Sequence, residues 1–216
     1  MTPLLEYDAP VLLVGGGPLD AELVHGLAAR TSGMVAADGG ADGLAELGLR
    51  PDAVIGDLDS LKDPAAWSGV PVHRIDDQDS TDFEKCLERM VAPLVLATGF
   101  TGARIDHQLA VMSTLVARDE RVIVVDPVDI CFRWRAGLRL DVVEGTRVSL
   151  FPMGRVTGRS TGLRWPIDGL ELTPAGRVGT SNIATGPVEV DATGPLLGIL
   201  PRACLDVVAD ALCAVE

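Results

Sequence analysis

The sequence predicts an α/β N-terminal domain with a mainly parallel sheet flanked by helices, followed by an all-β C-terminal sandwich. Up to residue 127, continuous apolar runs alternate with segments of helical periodicity. That alternation is typical of a parallel sheet covered on both faces. Beyond Pro127 the apolar segments become short and alternating, and Gly, Pro, Asp and Asn separate them. This second pattern is typical of antiparallel sandwiches, so we place a domain boundary between residues 127 and 128.

The predicted elements follow in chain order. In the first domain, residues 1–127, strands are predicted at 10–14, 34–37, 53–55, 70–75, 94–97 and 121–125. Helices are predicted between them at 20–30, 41–47, 82–91 and 105–117. In the second domain, residues 128–216, strands are predicted at 130–134, 138–142, 147–151, 178–183, 188–190 and 196–200, with a short helix at 202–215. Parallel sheets bind ligands at the carboxyl ends of their strands, so the polar residues found there are the functional candidates.

The acidic composition argues against a nucleic-acid-binding protein. The chain carries 18 basic and 31 acidic side chains, a net charge of −13, whereas nucleic-acid binding needs a basic surface. The negative charge is concentrated in the first half, in short Asp-rich clusters that can hold a hard cation such as Mg²⁺. Solubility is the simpler explanation for most of the remaining charges.

A cytoplasmic location is expected. No apolar run reaches the roughly 20 residues that a membrane-spanning helix needs, and residues 1–6 lack the features of a secretory signal. Four widely spaced cysteines without a Cys-x-x-Cys pair favour free thiols over disulfides or a zinc site. We therefore expect neither a membrane nor a nucleic acid as partner.

Two polar clusters follow predicted strands early in the chain. Residues 37–41 (ADGGA) place Asp38 and Gly39 just before a helix, where a ligand can approach the backbone, although for this motif alone a structural turn is the favoured explanation. Asp57 and Asp59 follow a buried strand and can point oxygens at one ion. An Asx turn is the structural alternative for that pair.

Two further clusters add basic groups. Thr81 and Glu84 fit a capping box, and Lys85, one of only two lysines, then lies on the same helix face as Asp82. A phosphate contact or a plain ion pair both explain this lysine.

The fourth cluster, residues 102–107 (GARIDH), opens a helix with Arg104, Asp106 and His107. The helix N-terminus there favours phosphate, and a structural role for the histidine stays open. If the strands are parallel, all four clusters share one edge of the sheet. Carboxylates for a cation beside basic groups for phosphates are what phosphoryl or diphosphoryl transfer requires.

These motifs, in this order and spacing, resemble the thiamine pyrophosphokinase family. The similar segments are 37–41, 51–60 (PDAVIGDLDS), 77–85 (DQDSTDFEK), 102–107, 148–152 (VSLFP), 161–165 (TGLRW) and 180–182 (TSN). Residues 42–43 (Asp-Gly) depart from the Asn-Arg more common in that family.

The resemblance implies a homodimeric enzyme that uses Mg²⁺ to transfer diphosphate from ATP to the thiamine hydroxyl, releasing AMP. It implies metal ligands at Asp57, Asp59 and Asp82. It implies nucleotide or phosphate contacts at Gln78, Thr81, Lys85, Arg104 and Asp106, to which the residue pattern adds Asp38, Gly39 and His107. It implies thiamine contacts at Trp165, Ser181 and Asn182. The indole face of Trp165 suits a cationic or flat ring, although a core tryptophan is the structural alternative.

The expected catalytic residues are Asp82, Lys85 and Arg104, and the proton of the hydroxyl is expected to pass to Asp82 or to Asp79 on the substrate side. Three other functions stay open: a phosphatase with Asp57 as nucleophile and Asp59 as acid, a pterin pyrophosphokinase of related architecture, and a non-catalytic thiamine or nucleotide sensor. A covalent aspartyl-phosphate would distinguish the phosphatase from the transferase, and release of AMP from ATP would exclude the sensor.

Overall fold

The structure is a computed structural model that describes residues 3–77 and 79–214. The chain divides into two compact units, Met1–Thr114 and Leu115–Glu216. This division falls within a helix that spans Ile105–Ala117. The boundary that the sequence places between residues 127 and 128 stays a prediction about the functional domains.

The first unit alternates strands and helices. Its elements are β1 (Leu5–Glu6), β2 (Val11–Val14), α1 (Ala21–Ala28), β3 (Gly33–Ala37), α2 (Gly40–Glu46), β4 (Ala53–Gly56), a 3₁₀ turn (Pro64–Trp67), β5 (Val72–Arg74), α3 (Asp82–Leu87), β6 (Met90–Val91), β7 (Val95–Thr98) and the start of α4 (Ile105–Ala117). Five of these strands form a parallel ladder in the order β7-β2-β3-β4-β5. The parallel pairing predicted for these apolar runs is confirmed.

Burial explains why the central strands read as continuous apolar runs. All four residues of β2 are fully buried, as the strand pairs with β3 on one side and β7 on the other. A strand covered on both faces cannot alternate polar and apolar residues. Helix α1 is capped by Asp20, whose side chain accepts a hydrogen bond from the Leu23 amide.

One predicted helix is shorter than expected. Helix α3 ends at Leu87, and the last residues of the predicted 82–91 helix form β6, which pairs in parallel with β1 through Leu5 and Met90. Strand pairing with a distant segment outweighs the local helical pattern here, and no local sequence signal reports such a partner.

The second unit is built from antiparallel strands. Its elements are β8 (Val122–Val125), β9 (Asp129–Arg133), β10 (Arg139–Leu140), β11 (Arg147–Pro152), β12 (Val156–Leu163), β13 (Glu171–Leu172), β14 (Gly179–Thr193), β15 (Leu196–Pro201), a 3₁₀ turn (Arg202–Cys204) and α5 (Leu205–Ala214). Every pairing from β8 through β9, β15, β11, β14 and β12 to β13 is antiparallel. The antiparallel character is confirmed, whereas stacking into a sandwich stays a prediction.

Strand β14 joins two segments predicted as separate strands. Its first residues pair with β11, and the residues from Ala184 onward pair with β12. Gly186 and Pro187 made the sequence look interrupted, but they lie where the register with β12 shifts, so the chain continues as one strand. Strand β12 itself was not predicted. Among the described residues, no helix is long and apolar enough to span a bilayer.

Candidate active site

A cavity of about 600 Å³ opens at the carboxyl ends of the first unit's parallel strands. Its wall contains six of the residues that the sequence singles out: Asp38, Gly39, Thr81, Asp82, Arg104 and His107. This is the place where parallel sheets bind ligands. The convergence predicted for the first, third and fourth clusters is therefore observed within one unit.

Asp57 and Asp59 are not among the residues that line the cavity, but they lie next to Asp38, which is. Carboxylate oxygens of the three residues lie within 4.8 Å of one another, so one cation can contact all of them. Hard divalent cations prefer such oxygen ligands, and the donor set therefore fits magnesium. We call Asp38, Asp57 and Asp59 the acidic cluster.

Two local backbone features bring the acidic cluster together. Gly56 ends β4 beside Asp38, and a Cβ atom at Gly56 would lie 2.8 Å from the Asp38 Cβ, so only glycine leaves room for that side chain. Leu58 adopts a φ of 67° between Asp57 and Asp59, an uncommon conformation for a leucine. This tight turn presents both neighbouring aspartates in the same loop.

Asp38 is the buried member of the acidic cluster. It is 3% exposed, and its Oδ2 accepts a hydrogen bond from the Ser60 amide at 3.2 Å. Its Oδ1 is buried and has no hydrogen-bond partner among the described residues. Burial, with help from the charges of Asp82, Asp57 and Asp59, raises the pKa of Asp38 to about 6 despite the hydrogen bond from Ser60.

Lys85 connects the acidic cluster to Asp82. Its side chain is 2% exposed, and its ammonium lies 3.1 Å from Asp82 and 3.3 Å from Asp57. Burial works against the charge, but hydrogen bonds and attraction from the two carboxylates outweigh it and raise the pKa of Lys85. Lys85 is therefore a buried, protonated side chain that two carboxylates hold in place.

The contacts of Asp57 favour its ionised form. Burial opposes ionisation, whereas hydrogen bonds from the Asp59 amide and from Lys85 lower the pKa of Asp57 below its ordinary value. A carboxylate that stays ionised at neutral pH is a competent metal ligand.

The capping box predicted at the start of α3 is present. Thr81 accepts a hydrogen bond from the Glu84 amide, and the Glu84 side chain accepts one from the Thr81 amide. This arrangement fixes the first turn of α3 and with it Asp82. Asp82 lies outside the acidic cluster and meets Asp57 through Lys85.

Arg104 and His107 line the cavity from the start of α4. The Arg104 guanidinium pairs with Asp106 at 2.6 Å, and both side chains are about two-thirds exposed. The Arg104 hydrogen bond lowers the pKa of Asp106 to about 2. Because an exposed ion pair of this kind is weak, Arg104 can exchange Asp106 for a phosphate at little cost.

Among the other candidates, Asp106 and Asp79 are not part of the cavity wall. The Asp79 amide donates to the Asp77 side chain in the loop before α3. Gln78 lies outside the described residues.

The thiamine-side candidates lie in the second unit. The Asn182 side chain is buried and holds the backbone of Trp165 at both its amide (3.1 Å) and its carbonyl (2.7 Å). Trp165 itself is 53% exposed, with the Arg164 guanidinium 5.1 Å from its ring centroid, so it is not a core tryptophan. Ser181 adopts a φ of 60° and donates its amide to the Ser149 hydroxyl.

Sequence reasoning missed part of the cavity wall. The triglycine at residues 15–17 lies there beside Gly99, and a Cβ at Gly15 would come within 2.6 Å of the Gly99 carbonyl. Phe83 and Phe100 also line the wall, with ring centroids 4.7 Å apart. The three consecutive glycines after a buried strand were the available signal, because such a loop lets a ligand reach the backbone.

Comparison with known proteins identifies the family of this chain. Residues 24–125 match the model of the thiamin pyrophosphokinase catalytic domain, and residues 137–197 match the vitamin B1 binding domain of the same enzyme. The chain belongs to the thiamin pyrophosphokinase family. The catalytic-domain match includes the acidic cluster, Lys85 and Arg104, and the vitamin B1 match includes Trp165 and Asn182.

Individual members of the thiamin pyrophosphokinase family are similar to this chain in sequence or in structure. Thiamine pyrophosphokinase 3 of rice (Oryza sativa subsp. japonica) is 29% identical over 191 residues, which cover 71% of this chain and 72% of the relative. The yeast thiamin pyrophosphokinase structure has a TM-score of 0.77 at 20% identity, covering 94% of this chain and 89% of its own. The Candida albicans structure has a TM-score of 0.75 at 18% identity and covers 93% of both chains. The two structures share the fold of this chain.

Proposed function

We propose that this chain transfers the diphosphate group of ATP to the hydroxyl of thiamine, producing thiamine diphosphate and AMP. The observation that carries the proposal is the acidic cluster beside Lys85, at the wall of a cavity that Arg104 also lines. Carboxylates for a cation and an arginine for phosphate are the parts that such a transfer uses. Membership of the thiamin pyrophosphokinase family supports the choice of substrates.

Asp57, Asp59 and Asp82 are the proposed magnesium ligands. A bound magnesium ion would offset the charge of the phosphates and favour attack on the β-phosphorus. Lys85 holds Asp57 and Asp82 in place, because its buried ammonium contacts both. It also brings a positive charge next to the proposed phosphate position.

Arg104 is the proposed phosphate ligand, because its planar guanidinium can bind two oxygens at once. His107 and Gly39 line the same wall, and we propose that Thr81, Gln78 and Asp106 complete the nucleotide contacts. The hydroxyl proton of thiamine passes to Asp82 or Asp79 as the oxygen attacks. Positioning and charge stabilisation of this kind account for most of the catalysis of phosphoryl-transfer enzymes.

Trp165 is the proposed platform for thiamine, whose ring is cationic and flat. Its half-exposed indole can stack on such a ring, and Asn182 holds the backbone that presents it. Ser181 and Asp79 are proposed to contribute polar contacts. We further propose a cytoplasmic homodimer in which residues 1–127 form the catalytic domain and residues 128–216 form a thiamine-binding sandwich.

The test is incubation of the purified chain with ATP, magnesium and thiamine, with the products separated by chromatography. Thiamine diphosphate and AMP in equal amounts support the proposal. Formation of ADP or free phosphate from ATP, in place of AMP, contradicts it. A pterin acceptor in place of thiamine is the control for acceptor identity.

A further inference from the structure

One side of the cavity wall carries a positive charge that the proposed ATP contacts do not use. Lys62 lines the cavity from the loop after β4, and its side chain is 73% exposed. Its ammonium lies 2.9 Å from the carboxylate of Glu46, which also lines the cavity and is 71% exposed. The hydrogen bond and the charge of Glu46 raise the pKa of Lys62, so this side chain is protonated at neutral pH. Because an exposed ion pair is weak, Lys62 can turn to another anion at little cost.

Two residues of α2 shape the wall around Lys62. The Asp42 side chain accepts a hydrogen bond of 2.8 Å from the Lys62 amide, which fixes the backbone that carries the ammonium. Gly43 lines the cavity at the position where the thiamin pyrophosphokinase family more commonly has arginine, and it adds no side chain. On the described part of the cavity wall, the lysine and arginine side chains are those of Lys62 and Arg104.

Lys62 and Arg104 follow strands that flank the glycine loops of the cavity. Arg104 follows β7 and Lys62 follows β4, and strands β2 and β3 lie between these two in the sheet. Adjacent strands are about 4.8 Å apart, so β7 and β4 are separated by roughly 14 Å. The loops after β2 and β3 contain the triglycine at residues 15–17 and Gly39, where a phosphate group can approach the backbone. A polyphosphate that crosses the ends of β2 and β3 therefore meets one cation on either side.

We propose that Lys62 is a second phosphate ligand of the nucleotide, whose ammonium turns from Glu46 to a phosphate oxygen of ATP. The identity of the nucleotide rests on the proposed function. A second cation is needed because four acidic side chains line the cavity of an anionic substrate: Asp38, Asp42, Glu46 and Asp82. A lysine ammonium binds phosphate as a point charge, through any of its three N–H donors. Lys62 thus offsets the repulsion on the side of the cavity opposite Arg104.

The test is the binding of ATP to the purified chain, measured by isothermal titration with Mg²⁺ and without thiamine. Lys62→Met should raise the Kd for ATP about fivefold or more, because it removes a charged hydrogen bond. Lys62→Arg keeps the positive charge and should bind ATP within about twofold of the wild type. An unchanged Kd in Lys62→Met overturns the proposal, and so does a Kd in Lys62→Arg as high as that in Lys62→Met.

Glu46→Gln distinguishes a phosphate ligand from a structural ion pair. If Lys62 binds ATP, loss of the Glu46 charge removes a competitor for the ammonium and a charge that repels the nucleotide. The Kd for ATP should then fall or stay at the wild-type value. If the ion pair instead acts by holding the wall in shape, Glu46→Gln should weaken ATP binding as Lys62→Met does. A raised Kd in Glu46→Gln therefore contradicts the proposal.

The matched controls come from an exposed ion pair in the second unit. Arg155 lies 2.7 Å from Glu171, its side chain is 75% exposed, and neither residue lines the cavity. Arg155→Met and Glu171→Gln change the net charge of the chain by the same amounts as the two test variants, and they should leave the Kd for ATP unchanged. Equal increases of the Kd in Arg155→Met and Lys62→Met would reveal an effect of net charge alone and contradict the proposal.

Two further measurements keep this test separate from that of the proposed function. Formation of thiamine diphosphate by the wild type is assayed in parallel. ATP binding without that product rejects the proposed function, while the comparison of Kd values still decides the role of Lys62. Absence of saturable ATP binding in the wild type overturns the assignment of Lys62. Urea unfolding of Lys62→Met should match the wild type, because the side chain is exposed, and a marked loss of stability would contradict the proposal by indicating a structural role.

Discussion

The ammonium group of Lys85 lies 3.3 Å from Oδ2 of Asp57, although 28 positions separate the two residues in the chain. Asp57 directly follows strand β4, and Lys85 lies in helix α3. Since Lys85 is 2% exposed, its buried charge needs this carboxylate as a partner. The pair therefore links the stability of the fold to the geometry of the site.

Lys85→Met should destabilise the protein by about 1–3 kcal/mol, because it leaves Asp57 and Asp82 without their cation. Urea unfolding measures the change. Lys62→Met is the control for the loss of a lysine, since Lys62 and its partner Glu46 are both more than two-thirds exposed and its loss should leave the free energy of unfolding almost unchanged. Equal losses in the two variants would argue against a buried structural role for Lys85.

Asp57→Ala should abolish turnover while the chain still folds, because it removes the central carboxylate of the acidic cluster. We expect kcat to fall by at least about 10²-fold, with circular dichroism showing native secondary structure. Asp76→Ala serves as the comparison, because Asp76 is an exposed carboxylate that pairs with Arg74 and does not line the cavity. Wild-type-like activity of Asp57→Ala with magnesium present would remove the metal-site proposal.

Arg104→Ala should raise the KM for ATP by about tenfold or more, corresponding to the loss of a charged hydrogen bond. Stability should change little, since Arg104 is 69% exposed. Initial-rate kinetics with varied ATP measure the effect. Arg104→Lys keeps the positive charge but lacks the planar guanidinium group. A KM for ATP close to that of the wild type in this variant would show that charge alone is sufficient for ATP binding.

Trp165→Ala should weaken thiamine binding and leave the KM for ATP unchanged, because Trp165 lies in the unit that matches the vitamin B1 binding domain. Its 53% exposure predicts a stability change within about 0.5 kcal/mol. Isothermal titration with thiamine measures the change, and Trp165→Phe should retain part of the affinity. A large loss of stability would instead support a packing role.

The single tyrosine of the chain, Tyr7, provides a test of pH dependence. Burial, followed by the charge and hydrogen bond of Asp52, raises the pKa of Tyr7 to about 12. Because the folded pKa exceeds the unfolded value of about 10, this group's contribution to stability is complete below pH 10 and is lost as the pH rises from 10 to 12.

Absorbance at 295 nm follows the titration of Tyr7 directly. Half-ionisation of the native protein at pH 10 would contradict the expected shift, and the chain in 8 M urea is the reference. Asp52→Asn should lower the midpoint only in part, since burial is the largest cause.

The sequence was sufficient to predict the parallel core and six residues of the cavity wall, because both depend on local patterns. Buried strands such as Val11–Val14 read as apolar runs, and Asp38, Asp82 and Arg104 follow predicted strands. The pairing of Met90 with Leu5 was not predictable, since strand exchange between distant segments has no local signature.

The sequence also could not reveal which carboxylates meet. Asp38 joins Asp57 and Asp59, whereas Asp82 contacts Lys85, which also contacts Asp57. Which carboxylates meet depends on the directions of the side chains and on the space that Gly56 leaves beside Asp38. The spacing of residues in the sequence predicts neither.

The contrast between the two lysines has a practical consequence for handling the protein. Lys62 is 73% exposed and lines the cavity, while Lys85 is sealed off from solvent. Apart from the terminal amine, reagents that acylate amines should therefore attach almost entirely at the mouth of the cavity. Resin coupling or fluorophore labelling through amines would obstruct the opening, so tags for surface attachment belong on the exposed thiol of Cys213.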